Sequence, residues 1–196
     1  MRLLSCLFAA LAFNLPAEEP AAFIAASRSG TSFFKMVPGV AQRPASGAAY
    51  TVLGDGSFKE IWQVSGWYAR EVFISDDGRT LVRVMPLHPG RTPTKSDLAL
   101  AFYRDGELVR EYHTAELVKD AQQTKFGREG YNWLAPAWVT VTDSRRPDGT
   151  SRVEHDTEAE PQLDAAGIFR VKTIDRIVYH FEAATGKLVK RKMPGK

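Results

Sequence analysis

The sequence predicts an all-β fold made of antiparallel hairpin repeats of about 50 residues, with one short helix. Three observations predict it. Residues 72–112 read as strand, Asp77-Gly78 turn, strand, polar link, strand, Asp105-Gly106 turn and strand. Asp-Gly between β-rich runs is a strong hairpin signal, because Gly takes the positive φ that the turn needs. The same unit has an echo upstream: Gly30 stands for Gly78 at an offset of 48, and Asp55-Gly56 stands for Asp105-Gly106 at an offset of 50. Both first hairpins also leave at a proline, Pro38 and Pro86. Periods of this size belong to propeller blades and related β arrays. Three units are fewer than an ordinary propeller holds, so propeller-blade-like sheets and a packed sandwich both stay open.

Taken in order, the chain opens on Met1-Arg2 and an apolar run over residues 3–15, followed by Pro16-Ala17-Glu18-Glu19. One positive charge, a short apolar core and a small residue before a polar stretch make a secretory signal peptide. The apolar run is shorter than the roughly 20 residues a membrane-spanning helix needs. Cleavage is expected after Ala17, leaving residues 18–196 as a single all-β domain, periplasmic or secreted. Cys6 lies near the start of the apolar run instead of following it, which argues against a lipidated N-terminus. It is the only cysteine, so the mature chain would be held by its core without disulfides. A chain of this length can bury one sizeable core.

Three blade-like units are expected, at about 22–65, 68–113 and 131–192. In the second, residues 98–102 are apolar on both parities, as a central strand covered on both faces should be. Residues 49–53 are expected to occupy the same place in the first. After the second unit, Thr114 is read as the cap of a short amphipathic helix over residues 114–125. The third unit is the most degenerate, with strands at 137–142, 168–173 and 177–181, and a Thr185-Gly186 turn into 188–190. Residues 143–165 are polar and charged and read as a long mobile excursion.

Several stretches carry a resemblance. They are residues 74–83, 98–106, Tyr112-His113-Thr114-Ala115-Glu116 and its continuation to Asp120, Tyr131-Asn132-Trp133-Leu134, and the ending at 179–186. In these the chain resembles a family of uncharacterised secreted bacterial proteins with propeller-blade-like β repeats. The resemblance implies the fold and supplies no catalytic residues. The family pattern has a His before the tyrosine of the Tyr131 motif, where this chain has Gly130, so any function carried by that His is missing here.

Composition narrows the function classes. The formal charge is +3 and the longest basic run is Lys190-Arg191-Lys192, which does not support a nucleic-acid partner. No stretch after the leader approaches membrane-spanning length, so no membrane span is expected in the mature chain. Trp62, Trp67, Tyr131, Trp133 and Trp138 are the binding candidates, with Tyr68 and Phe126 beside them. Such aromatics at strand ends either line a carbohydrate or peptide groove or fill the corners between sheets. The histidines His88, His113, His155 and His180 lack zinc-ligand spacing. The acidic run at 154–160 lacks the Asp-x-Asp-x-Asp-Gly spacing of a calcium loop and reads as a solvated face. No metal or other cofactor is expected. The sequence holds no phosphate-binding glycine loop and no Gly-x-Ser-x-Gly elbow. Catalytic residues are unknown, and whether the chain is an enzyme stays open, with a non-enzymatic role favoured. The reading is an exported, non-catalytic binding or assembly module of the cell envelope, its partner an unknown envelope protein or polymer. The alternative is a hydrolase of an envelope polymer or carbohydrate, which requires two carboxylates about 5 to 10 Å apart across a cleft. A purely structural or stress-related protein without a ligand is the third.

Overall fold

The computed structural model describes residues 20–88, 92–123, 125–127, 130–142 and 151–193. The expected leader at 1–17 and residues 143–150 of the expected excursion lie outside the described residues. The strands are β1 (Phe23–Ala26), β2 (Ser32–Val37), β3 (Ser46–Val52), β4 (Phe58–Ser65), β5 (Glu71–Ile74), β6 (Thr80–Val84), β7 (Leu87–His88), β8 (Leu98–Arg104) and β9 (Glu107–His113). After helix α1 (Thr114–Leu117) and a 3-10 turn at Ala121–Gln123 come β10 (Lys125–Gly127), β11 (Gly130–Asn132), β12 (Trp138–Thr142) and β13 (Ser151–His155). The last four are β14 (Gln162–Leu163), β15 (Ile168–Lys172), β16 (Val178–Glu182) and β17 (Lys187–Lys192).

Three of the sheets are four-stranded antiparallel meanders: β1-β2-β3-β4 (sheet 1), β5-β6-β8-β9 (sheet 2) and β14-β15-β16-β17 (sheet 3). Sheets 1 and 2 pair their strands in the same order, with β7 set aside as a detour between β6 and β8. One turn opens the first hairpin of each of these three sheets. Gly30 N–H donates to Ser27 O at 3.0 Å, Gly78 to Ser75 O at 2.9 Å and Gly167 to Asp164 O at 3.0 Å. The first strands lie together on the inside, with β1, β2 and β14 all approaching β5.

Alternation along sheet 2 explains how the sheets stack. Val72, Ile74, Leu81, Ala101 and Tyr103 face sheet 1 and meet Phe34, Met36, Ala49 and Trp62. The intervening Phe73, Val82, Val84, Leu100 and Phe102 face sheet 3 and meet Phe169, Val171, Tyr179 and Phe181. Residues 99–103 of β8 are accordingly buried, and the strand pairs with β6 on one side and β9 on the other. Each fully buried Leu, Val or Phe contributes roughly 1.5–3 kcal/mol, so the covering of both faces makes sheet 2 the centre of the fold.

Four expectations change. Strand β3 is central in sheet 1, but Val52 and Leu53 are 41% and 42% exposed, because only one face of that sheet is covered. The helix is a single turn capped by His113 instead of Thr114: Glu116 Oε2 accepts from His113 N–H at 2.7 Å. The strand at 137–142 does not enter sheet 3; β12 pairs with β13 as a separate hairpin. Finally, the stretch read as mobile contains β13 and β14, and its acidic part is pinned to sheet 3. The outer face of β15–β17 carries Arg170, Lys172, His180, Lys190 and Lys192, paired across the strands. Against it, Asp156 accepts from Lys172 Nζ at 2.6 Å, Thr157 O from Arg170 at 3.0 Å, and Glu158 approaches Lys192 at 3.8 Å. The acidic run serves a cationic sheet face.

Candidate functional site

The sequence-selected aromatics separate into two places. Trp62 is 8% exposed and donates Nε1–H to Gly78 O at 2.8 Å. Trp67 is half-buried, stacked on Phe34 and Tyr103, with the Arg83 guanidinium 4.7 Å from its ring centre. Both belong to the packing between sheets 1 and 2. Tyr131 and Trp133 are fully buried between sheets 2 and 3, where Trp133 Nε1–H donates to Met85 O at 2.6 Å. The Trp133 carbonyl accepts from Ile174 N–H at 2.8 Å, so this segment joins β7 to the β15–β16 turn. These four rings fill inter-sheet corners and form no common groove. The side chain of Trp138, like that of Phe126, lies outside the described residues.

Around Tyr131 the structure gathers polar groups that lie far apart in the chain. Tyr131 Oη–H donates to Asp97 Oδ2 at 2.8 Å and lies 2.7 Å from Thr114 Oγ1. Thr94 N–H also donates to Asp97 Oδ2, at 3.1 Å. His88 is 7% exposed, with its ring centre 5.7 Å from that of Tyr131. Among the described residues nothing bonds His88 Nε2. Burial pushes the Tyr131 phenol up to about 12, and the Asp97 carboxylate adds to the rise. Burial lowers His88, with the Asp97 charge opposing it. Burial would raise Asp97, but hydrogen bonds from Tyr131 and Thr94 leave it below the usual carboxylate range. At neutral pH the group is therefore a phenol, a carboxylate and a neutral imidazole. It ties the detour around β7 to α1 and β11.

Two clefts lie elsewhere. One, of about 330 Å³, opens between the first-hairpin turns of sheets 2 and 3, with Asp76, Asp77 and Asp164 in its wall. All three carboxylates are already engaged. Asp76 Oδ1 accepts from Ser29 N–H and Oγ–H at 2.8 and 2.7 Å, latching sheet 2 to the turn of sheet 1, and these bonds lower its pKa. Asp77 accepts from Ser75 and from Arg79 N–H, and Asp164 from Ile168 N–H. The repeated turn explains the opening: Ala165 in sheet 3 stands where sheet 2 has Asp76, so no such latch crosses this gap among the described residues. The second cleft, of about 400 Å³, lies among the inner edges of β1, β5 and β14.

The outer face of sheet 1 carries the exposed apolar surface. Phe33 and Tyr50 stack at 5.0 Å between ring centres, and Phe58 stands edge-on to both at 5.5 and 5.8 Å. The register places all three on one face, opposite the side that bears Phe34, Ala49 and Trp62. Phe58 and Ile24 are 63% and 64% exposed. A sheet covered on one face gives no reason for such a cluster on the other, and its sequence signal lies in β2 and β3, where apolar residues occupy both parities.

No family model matches the chain. No curated protein matches it either. Among solved structures the chain is similar to that of Saccharomyces cerevisiae Sqt1, at 12% identity and a TM-score of 0.31, over 91% of this chain and 52% of that one. The chain thus spans about half the length of that protein. A likeness of this size carries no argument. No helix among the described residues is long and apolar enough to cross a membrane.

Proposed function

We propose that the protein is an exported, non-catalytic binding or assembly module of the cell envelope, built on propeller-blade-like sheets. The observation that carries the reading is the Phe33–Tyr50–Phe58 cluster, an apolar face on an otherwise one-sided sheet. Exposed contiguous apolar surface of this kind marks interaction sites. The gathering of β1 and β14 at β5 supports the blade-like arrangement. The hydrolase alternative has one observation in its favour, the three aspartates of the turn cleft. It is weaker because a general acid needs a raised pKa, whereas Asp76 is lowered and all three carboxylates close turns or latches.

A photo-crosslinking residue at Phe58 tests the reading in the producing cell, with the same residue at Leu188 on sheet 3 as the control. A discrete adduct from position 58, absent at 188 and lost on adding Phe33→Ser, is the expected result. Equal labelling at both positions, or none at 58, overturns it. The recovered protein should begin near Glu18; an intact Met1 in the exported fraction refutes the leader.

A further inference from the structure

The cleft among β1, β5 and β14 has a composition of its own. Phe73 of β5, Pro161 and Leu163 give it an apolar lining, and Ala26 and Arg28 also border it, while the adjoining Ile74 is buried toward sheet 1. Its volume, about 400 Å³, falls in the range of roughly 300–1,000 Å³ typical of ligand sites. Each of the three strands is terminal in its own sheet. Their inward backbone edges therefore have no strand partner, and an extended peptide is the ligand form that pairs such edges. Arg28 is exposed, and its guanidinium has no hydrogen bond or ion pair among the described residues. The Asp76 carboxylate is within its electrostatic reach, but Asp76 Oδ1 is held by Ser29. An available guanidinium beside an apolar lining is complementary to a carboxylate attached to an apolar body, since the planar fork matches the two oxygens.

We propose that this cleft captures the C-terminus of an extended peptide whose last side chain is apolar. The terminal carboxylate pairs with Arg28, the side chain rests on Phe73, Pro161 and Leu163, and the peptide backbone runs along a free strand edge. The site is separate from the aromatic face of sheet 1, so failure at one leaves the other standing.

The test is an amide-resolved NMR titration of the full chain with an N-acetylated tripeptide Ala-Val-Leu, as free acid and as C-terminal amide. Saturable shifts confined to the neighbourhood of Ala26, Arg28, Phe73 and Leu163 are expected for the acid. The amide should bind about three- to fivefold more weakly, the loss of one exposed charge pair. Arg28→Gln should bring acid and amide to the same affinity without altering the melting temperature, as Arg28 is exposed. Equal binding of acid and amide to the native chain overturns the proposal, as do shifts centred elsewhere or the absence of saturation. Octanoate serves as the remaining arm. Saturation of the same residues at equal or higher affinity assigns the cleft to fatty acids and overturns the peptide.

Discussion

Gly78 meets two requirements at once. Its φ is +69°, and a Cβ placed there falls 2.4 Å from Ile61 Cδ1 and 3.0 Å from Ser32 Oγ. Gly106, at φ +84°, meets only Gln63 O at 3.1 Å and the edge of Trp62. Left-handed backbone costs a residue with a Cβ about 1 kcal/mol, and at Gly78 the nearest atom is the end of the Ile61 side chain, which is 36% exposed and can swing aside. Gly78→Ala and Gly106→Ala should therefore each destabilise by about 1 kcal/mol. Unchanged thermal melts for both variants would discard the turn assignment. Both positive φ values were legible in the sequence, because Asp-Gly encodes them locally. The roles of Trp62, Tyr131 and Trp133 were not. An aromatic ring looks alike in sequence whether it plugs a corner or lines a groove, and only the cross-strand register decides which.

At the scale of elements, the hairpins with turn chemistry of their own were readable, and sheet 3 was the exception. Its first turn keeps only the glycine: Asp164-Ala165-Ala166-Gly167 replaces the polar Ser75-Asp76-Asp77-Gly78. With the polar residues gone, the apolar alternation of β12 outweighs the turn signal in the sequence. The acidic segment at 156–160 is hard to read for a related reason. Its charges suggest solvent, yet its partners are basic residues on β15 and β17, distant in sequence. Lys172 holds the Asp156 carboxyl below its ordinary range. A carboxyl lowered on folding contributes stability at neutral pH, above the unfolded value of about 3.9. That contribution fades as pH falls through the lower folded value. The two side chains are 15% and 28% exposed, so the pair is worth on the order of 1 kcal/mol. Asp156→Asn should shrink the difference in melting temperature between pH 7 and pH 3, and Lys172→Met should do the same. An unaltered difference in both variants would remove the pinning from the account.

For the whole molecule, the decisive fact is that sheet 2 lends one face to each neighbour. Sheets 1 and 3 share no apolar cluster among the described residues. This layering was half legible: residues 98–102 announced a strand covered twice, but nothing in one sequence says which neighbours cover it. Amide exchange should be slowest in β6 and β8 and distinctly faster in β3, although β3 is also a central strand. Equal protection of β3 and β8 would mean that sheet 1 is covered on its outer face in solution.

The same layering gives the protein a direction of mechanical weakness. Held at Phe23 and Lys192 and pulled apart, the chain is loaded through its two outer sheets, each fastened on one side only. Sheets 1 and 3 should then detach in separate steps, each releasing a fixed length of chain, while sheet 2 stays closed until the last rupture. Force applied across Val72 and Tyr112 instead loads the doubly covered sheet from the start, and the molecule should yield in one event.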